Sequence, residues 1–376
     1  MTIAEKYCKQ KKGRKKLSDK YVVCVCVKNE DNTIREWIQY YLTLGFDAII
    51  IADNNDTNIL EGILEDYIKE SIVELYDFRG DDCFQIEFYS EVCKEGDYKW
   101  CAFFDADEYL ELNCYSDIKK FLATINEDCI LFHWLMYGSN GRIFHEPEYH
   151  VTSTYTVPVF PISTFPENMF IKSIVRGGVF NDGCWFNGSH LPCSDTKTIT
   201  YNVGGVRVYN GGERYQFFPI CYKCGHIKHY YTKSLEEWQE KASRGWPDGT
   251  KTLPSENFNH FNNVLPNPDF YMNSVWGLND QNKDFVHDLV KKNKVIKVTT
   301  LSEPSYSFLL YMSECFKTGI GRIYAYMGSI DDTLYDMAME LAMRTGNKLI
   351  YARDEKEFDT FLLNNQIYDF YNLQIF

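Results

Sequence analysis

Four short apolar runs, each spilling into polar residues and the first three each followed by a helical pattern, restrict the folds open to this chain. Tyr21-Val22-Val23-Cys24-Val25-Cys26-Val27 is β-branched and apolar, leads into Lys28-Asn29-Glu30-Asp31-Asn32, and gives way to Ile34, Trp37, Ile38, Tyr41 and Leu42 at helical spacing. Gly45 closes that helix, and Asp47 to Asp53 forms a second run ending in Asp53-Asn54-Asn55-Asp56. A helical pattern from Ile59 to Lys69, a run from Ser71 to Tyr76 ending at Asp77, and a helix from Gln85 to Lys94 follow. This order is βαβαβ, and short apolar strands joined by helical crossovers form a parallel sheet with helices on its faces. All the polar exits then line one rim of that sheet.

The fourth run, Trp100 to Phe104, enters Asp105-Ala106-Asp107-Glu108 at that rim. Ligands of open α/β sheets bind at the carboxyl edge, and residues two apart project to one side, so Asp105 and Asp107 can grip one hard cation. Mn²⁺ or Mg²⁺ held there keeps positions open for phosphate oxygens. The junction therefore suits transfer from a diphosphate-linked donor. The bland alternative is a turn or a helix cap, because carboxylates are common after strands.

With 39 basic and 53 acidic side chains the formal charge is −14, which argues against a general nucleic-acid binder. The one dense basic run is Lys9, Lys11, Lys12, Arg14, Lys15 and Lys16, and residues 1–20 read as a disordered tail. The competing reading is peripheral contact with anionic lipid. No stretch reaches the roughly 20 apolar residues of a membrane span, and the N-terminus is too charged for a signal peptide. A cytoplasmic protein, peripheral at most at the inner membrane face, is the expectation. Thirteen scattered cysteines, two of them inside the first apolar run, suit reduced thiols used as small hydrophobes.

Further along, Cys129 to Trp134 is a strand leading to Gly138-Ser139-Asn140-Gly141, and residues 150 to 225 suggest short strands completing a mixed sheet. Ser234 and Glu237 form a capping box for a helix to about Ser243. Composition shifts from Thr250, so the chain divides into the tail, a catalytic domain at 21–250, a connecting segment at 251–294 and a small α/β unit at 295–376. In the last unit helices are expected at 303–317, 332–344 and 355–364, with strands at 322–327 and 348–352.

With these motifs in place, residues 21 to 250 resemble the family 92-type glycosyltransferases and the related bacterial family 2-like group, which share the GT-A fold. Six ordered blocks carry the resemblance. They are Val27 to Glu30 with Glu36-Trp37-Ile38 and Tyr41; Gly45-Phe46-Asp47 through Asn55; Phe103 to Leu110; Trp134 with Gly138-Ser139; Lys172 to Arg176; and His229 to Ser234 with Lys241 and Arg244-Gly245. The resemblance implies a mixed α/β sheet with helices on both faces. It also implies inverting transfer of a sugar, galactose among them, from a nucleotide donor to a glycan or glycolipid acceptor. The C-terminal unit lies outside it.

Resemblance and chemistry together assign provisional roles. Asn29, Asp53 and Asp77 would meet the base and ribose of a UDP-type donor, Asp105 the ribose or the metal, and Asp107 the metal. A later histidine completes many such metal sites; His190 and His229 are the candidates, with His190 preferred. Lys172, Arg176, Lys233, Lys241 and Arg244 could neutralise diphosphate, with Lys233 favoured. Asp182 and Glu108 are the candidates for the base that takes the acceptor's proton, Glu108 having the other reading of holding its loop. Trp134 and Tyr137 would wall an acceptor sugar, with core packing as their competing role.

The Cys221-Tyr222-Lys223-Cys224-Gly225-His226-Ile227-Lys228-His229 segment invites a zinc reading, but its four ligands lie closer together than structural sites place them. Two other functions compete. A nucleotidyltransferase making sugar nucleotides should carry a glycine-rich loop after the first strand, where Lys28 to Asn32 has no glycine. A non-catalytic glycan-binding protein would have no need of Asp105 and Asp107.

Overall fold

The structure is a computed structural model that describes residues 1–113, 115–145, 149–159, 165–180, 183–203, 206–209, 216–217, 220–244, 255–262, 294–300, 306–318, 321–367 and 370–375. The strands expected from the apolar runs are present as β1 (Leu17–Val27), β2 (Ala48–Asp53), β3 (Val73–Asp77) and β4 (Tyr98–Phe103). They are followed by β5 (Glu108–Leu112), β6 (Cys129–Met136), β7 (Ile171–Arg176), β8 (Cys184–Asn187), β9 (Leu191–Ser194), β10 (Thr200–Val203), β11 (Val206–Tyr209) and β12 (Gly225–His229). Among the described residues the main sheet runs β11-β10-β6-β7-β4-β1-β2-β3, with β12 joining β5 to β6 and β8-β9 forming a separate hairpin.

β1 to β4 are mutually parallel where they pair, while β7 is antiparallel to both β4 and β6. The sheet is therefore mixed, as expected. Its first strands are buried on both faces, and alternate residues serve different layers. Val23, Val25, Ile49 and Ile51 pack with Trp37, Ile38 and Tyr41 of the helix Ile34–Thr43. Val22, Cys24, Ile50 and Phe103 pack with Phe88, Tyr89 and Val92 of the helix Gln85–Glu95. Helices thus cover both faces, which is what continuous rather than alternating apolar strands require. The helix expected over 59–69 is broken at Leu64 into Ile59–Ile63 and Glu65–Lys69.

Residues 1–20 are a correction to the expectation of a disordered tail. Thr2 and Glu5 form a capping box for a helix over Ile3–Lys11, and the Tyr7 ring is buried 5.3 Å from Tyr76. The Gln10 side chain accepts from Asp77 N at 2.7 Å and donates to Asp77 O at 2.9 Å, while Arg14 donates to Leu75 O. One aromatic anchor and side-chain amides that satisfy the open edge of β3 outweigh the surrounding lysines. Lys9, Lys12, Lys15 and Lys16 remain exposed.

Part of the expected connecting segment also belongs to the first unit. The helix Ser255–Asn262 sets Phe261 4.7 Å from Tyr231, and Asn262 Oδ1 accepts from Ser139 N. The C-terminal unit contains the expected helices and strands, and adds β13 (Val295–Thr300) and β16 (Tyr371–Ile375) to β14 (Ile323–Met327) and β15 (Lys348–Ala352). Its parallel sheet has the order β15-β14-β13-β16. It meets the first unit through Lys348 on Glu111 and through Lys223, whose Nζ lies 2.7 Å from Asp332 Oδ1. The described cysteines are free thiols, and no described helix is long and apolar enough to cross a membrane.

Candidate active site

The turn between β4 and β5 is built from below. Glu108 N–H donates to Asp105 O at 3.1 Å, and Asp105 N–H donates back to Glu108 Oε2 at 2.9 Å. Trp37 Nε1 donates to Glu108 O at 2.9 Å and Tyr41 Oη does so at the same distance, so the polar tips of two core aromatics fasten the turn. Tyr89 Oη donates to Phe104 O at 3.2 Å from the opposite layer. Asp105-Ala106-Asp107 is thereby held between two helices at the carboxyl edge of the sheet.

Each motif carboxylate meets an ammonium. Lys172 of β7 is wholly buried; its Nζ lies 2.7 Å from Asp105 Oδ2 and donates to Ser189 O at 3.1 Å, with Glu108 Oε2 3.7 Å away. Gln85 Nε2 donates to Asp105 Oδ1 at 3.0 Å. Burial works against the ammonium, yet Asp105 and Glu108 outweigh it and Lys172 stays charged. On Asp107, Lys241 Nζ donates to Oδ2 at 2.7 Å and His229 Nε2 stands 3.5 Å from Oδ1. Burial opposes the Asp107 charge, but Lys241 and His229 overcome it and hold the carboxyl well below the usual range.

β12 brings His229 here. It pairs antiparallel with β5, His229 opposite Glu108, and parallel with β6, His229 opposite Met136. Gly225 starts that strand at φ +150, where a Cβ would come within 2.3 Å of Glu111 O, so only glycine lets β12 lie this close to β5. Past β12 the Ser234–Glu237 capping box forms, with Ser234 Oγ accepting from Glu237 N at 3.2 Å. The helix Leu235–Arg244 that it starts buries Trp238 and carries Lys241 back to Asp107.

The Trp134 ring lies 4.3 Å from His229 and 5.2 Å from His190, stacks on Phe170, and is buried. His190 sits beyond it with Nδ1 on Ile171 O at 2.9 Å. The histidine beside the motif is therefore His229, and the preference for His190 is corrected: the β8–β9 hairpin places His190 across Trp134 rather than against Asp107. Glu108 is corrected as a base as well. It is fully buried, its Oε2 closes the turn, and burial pushes its carboxyl well above the usual range against the pull of Lys172. It holds the loop. Tyr137 is buried 5.0 Å from Tyr230 in the core, and Arg176 is spent on the carbonyls of Ile125 and Glu127 and on the Trp100 ring. Asp182, like the Arg244 side chain, lies outside the described residues.

The rim residues do gather. Val27 pairs with Asp53 and Asp53 with Asp77 across β1, β2 and β3. Asn29, at φ +56, donates its N–H to Asn55 Oδ1 at 2.6 Å, and Asn55 N donates to buried Asp53 Oδ1 at 2.9 Å. Asp77 is exposed and clamped by Arg79 at 2.9 Å. Lys233 reaches the same rim from the far end of the domain, donating to Glu30 Oε2 at 2.8 Å. The sequence reading offered Lys241 only as one of five candidates for the diphosphate and gave the tips of Trp37 and Tyr41 no part in the turn. Lys241 follows Trp238 by three positions and so shares its inward face, which is the signal that a lysine there is more than solvated surface.

Among the described residues no group of three or more His, Cys, Asp or Glu is arranged to hold a metal ion. Asp107 and His229 nevertheless supply two donors of suitable chemistry. One is an ionised carboxylate. The other is an imidazole that burial keeps toward its neutral form against the pull of Asp107 and whose buried Nδ1 has no partner.

Residues 22–186 match the family model described as glycosyl transferase family 2. Over those residues the chain is similar to that family. The matched segment runs from within β1 into β8 and includes the Asp105-Ala106-Asp107 turn, and the mixed sheet with helices on both faces is the expected GT-A arrangement. Among solved structures, Staphylococcus aureus TarS 1–349 is similar at 18% identity over 42% of this chain and 47% of that one, with a TM-score of 0.29. The same fragment in complex with UDP aligns over 87% of this chain and 89% of that one at 11% identity and a TM-score of 0.34. GalNAc-T7 with UDP, GalNAc and Mn²⁺ aligns at 16% identity over 73% and 51% of the two chains, with a TM-score of 0.28. The chain spans about half the length of the first of these, 47%. No curated protein matches it.

The protein also buries histidines in neutral form, which bears on its response to acid. Burial pulls His133 and His226 down from 6.5 to about 4. Between those values the unfolded chain binds protons that the folded chain refuses, so stability is complete above the unfolded value and falls as pH drops through this window. Urea denaturation is expected to show a lower midpoint at pH 5 than at pH 7, and equal midpoints would contradict the buried neutral assignment.

Proposed function

We propose that this protein is a glycosyltransferase that moves a sugar from a UDP-linked donor to a glycan or glycolipid acceptor with inversion, aided by Mn²⁺ or Mg²⁺. The observation that carries the reading is the convergence of Asp107, His229 and Lys241 beside Asp105 at the carboxyl edge of the sheet. The finer family 92-type character, galactose as the sugar and a place in surface or capsular polysaccharide synthesis belong to the same proposal. So does contact of the exposed lysines of the N-terminal segment with anionic lipid at the cytoplasmic face.

Asn29 and Asp53 receive the nucleoside at the ends of β1 and β2, while Asp77 and Lys233 border it. Asp107 and His229 would hold the cation, which when bound shields the departing diphosphate. Asp105, fixed by Lys172 and Gln85, presents its carboxylate to the ribose. Trp134 forms the apolar floor beneath the two histidines. The acceptor's proton goes to Asp182, since Glu108 is committed to the turn.

A screen of UDP- and GDP-sugars for donor hydrolysis, with Mn²⁺, with Mg²⁺ and in EDTA, tests this. A UDP-sugar is expected to turn over with either metal and to stop in EDTA. Undiminished turnover in EDTA, or turnover of GDP-sugars alone, would overturn it.

A further inference from the structure

The two carboxylates of the motif carry their counter-ions differently. Lys172 is fully buried and tied to Asp105 Oδ2, Ser189 O and the Glu108 carboxylate, so nothing can displace it without unpairing several buried groups. Lys241 comes from a helix added at the end of the domain. It touches Asp107 Oδ2 at 2.7 Å and Tyr231 O at 3.0 Å, lies 4.3 Å from the Tyr231 ring centre, and keeps its side chain 19% exposed. Among the described residues, the other oxygen of Asp107 has only the His229 nitrogen near it, at 3.5 Å, beyond ordinary hydrogen-bond length. Lys172 is locked; Lys241 has a carbonyl and an aromatic face to hold it once the carboxylate is taken.

We propose that Lys241 is an exchangeable counter-ion of Asp107: it occupies the carboxylate in the empty enzyme, yields it to the divalent cation, and then turns its ammonium to the donor's diphosphate. This rests on the reading that a cation serves Asp107 and His229. The physical basis is competition of two positive charges for one carboxylate, relieved when the diphosphate brings negative charge. The cation alone then binds weakly, and nucleotide and cation bind cooperatively because the nucleotide supplies the displaced lysine with a new partner. That coupling is reciprocal.

The test is Mn²⁺ binding, followed by the electron paramagnetic resonance signal of free Mn²⁺, with and without UDP. The proteins are the full chain, Lys241→Met, Lys241→Gln and Asp107→Asn, with folding checked by circular dichroism. Both lysine variants are expected to bind Mn²⁺ alone about tenfold more tightly than the unsubstituted chain, and to lose a similar factor of the enhancement that UDP produces. Lys241→Gln guards against a folding defect in Lys241→Met, because it keeps a hydrogen-bond donor to Asp107. Unchanged or weaker Mn²⁺ affinity in the folded lysine variants, with Asp107→Asn still abolishing binding, would overturn the proposal and leave the metal reading standing. If Mn²⁺ fails to bind the unsubstituted chain even with UDP, both fall.

Discussion

Replacing Asp107 with asparagine is expected to lower sugar transfer by about 10²- to 10³-fold, the range seen when one preorganised electrostatic partner of a transition state is removed. Asparagine keeps the size and one carbonyl oxygen, so the turn pinned by Glu108, Trp37 and Tyr41 has no reason to rearrange. What disappears is the negative charge that Lys241 and His229 face from two sides. A cation placed there would meet an ammonium and an imidazole with no carboxylate to offset them. The loss should therefore appear in kcat at saturating donor and resist raised metal concentration. Near-normal transfer by a folded Asp107→Asn protein would show that the turn is structural. The same carboxylate also links stability to pH. Its folded value is depressed, so its contribution is present above the unfolded value of about 3.9 and is lost as pH falls through the depressed folded value.

Lys172→Met is expected to cost about 3–5 kcal/mol of stability, because removing one partner of a buried ion pair leaves uncompensated charge. The side chain is fully buried, and Asp105 and Glu108 both face it. Methionine fills the volume of the stem but supplies no donor, so either Glu108 takes a proton or the turn opens toward water. Urea denaturation at pH 7 measures the loss, and a change under about 1 kcal/mol would refute the buried-pair assignment. Transfer should fall too, since Asp105 loses the group that aims it. The raised value of Lys172 means its contribution is complete below the unfolded value of about 10.4 and is lost only as pH rises through the folded value.

Much of this was legible in the chain. The runs at Val22–Val27, Ile49–Ala52 and Trp100–Phe103 are buried on both faces, and composition alone carries that signal. The Ser234–Glu237 cap was equally readable, because a capping box is local. Adjacency created by topology was not. His190 and His229 look alike in sequence, and only the insertion of β12 beside β5 decides which one meets Asp107. Glu108 reads either as a base beside a metal pair or as the holder of its loop, and only the folding of its side chain back under its own turn decides for the second. The N-terminal helix was hidden by its lysines, since Tyr7 and Gln10 are single contacts with no periodicity behind them. β13 was missed for a related reason: Lys291, Lys292, Lys294 and Lys297 dilute an apolar run whose buried members are Val295, Ile296 and Val298.

The place of β12 also sets when the acidic turn is complete. β5 pairs with no other described strand, so a growing polypeptide that has emerged only as far as β11 holds its acidic turn on an unsupported ribbon, without the imidazole or the ammonium that complete it. That turn is finished only when the last described strand of the first unit takes its place between two that precede it in the chain. A chain that ends before β12 lacks both partners of Asp107.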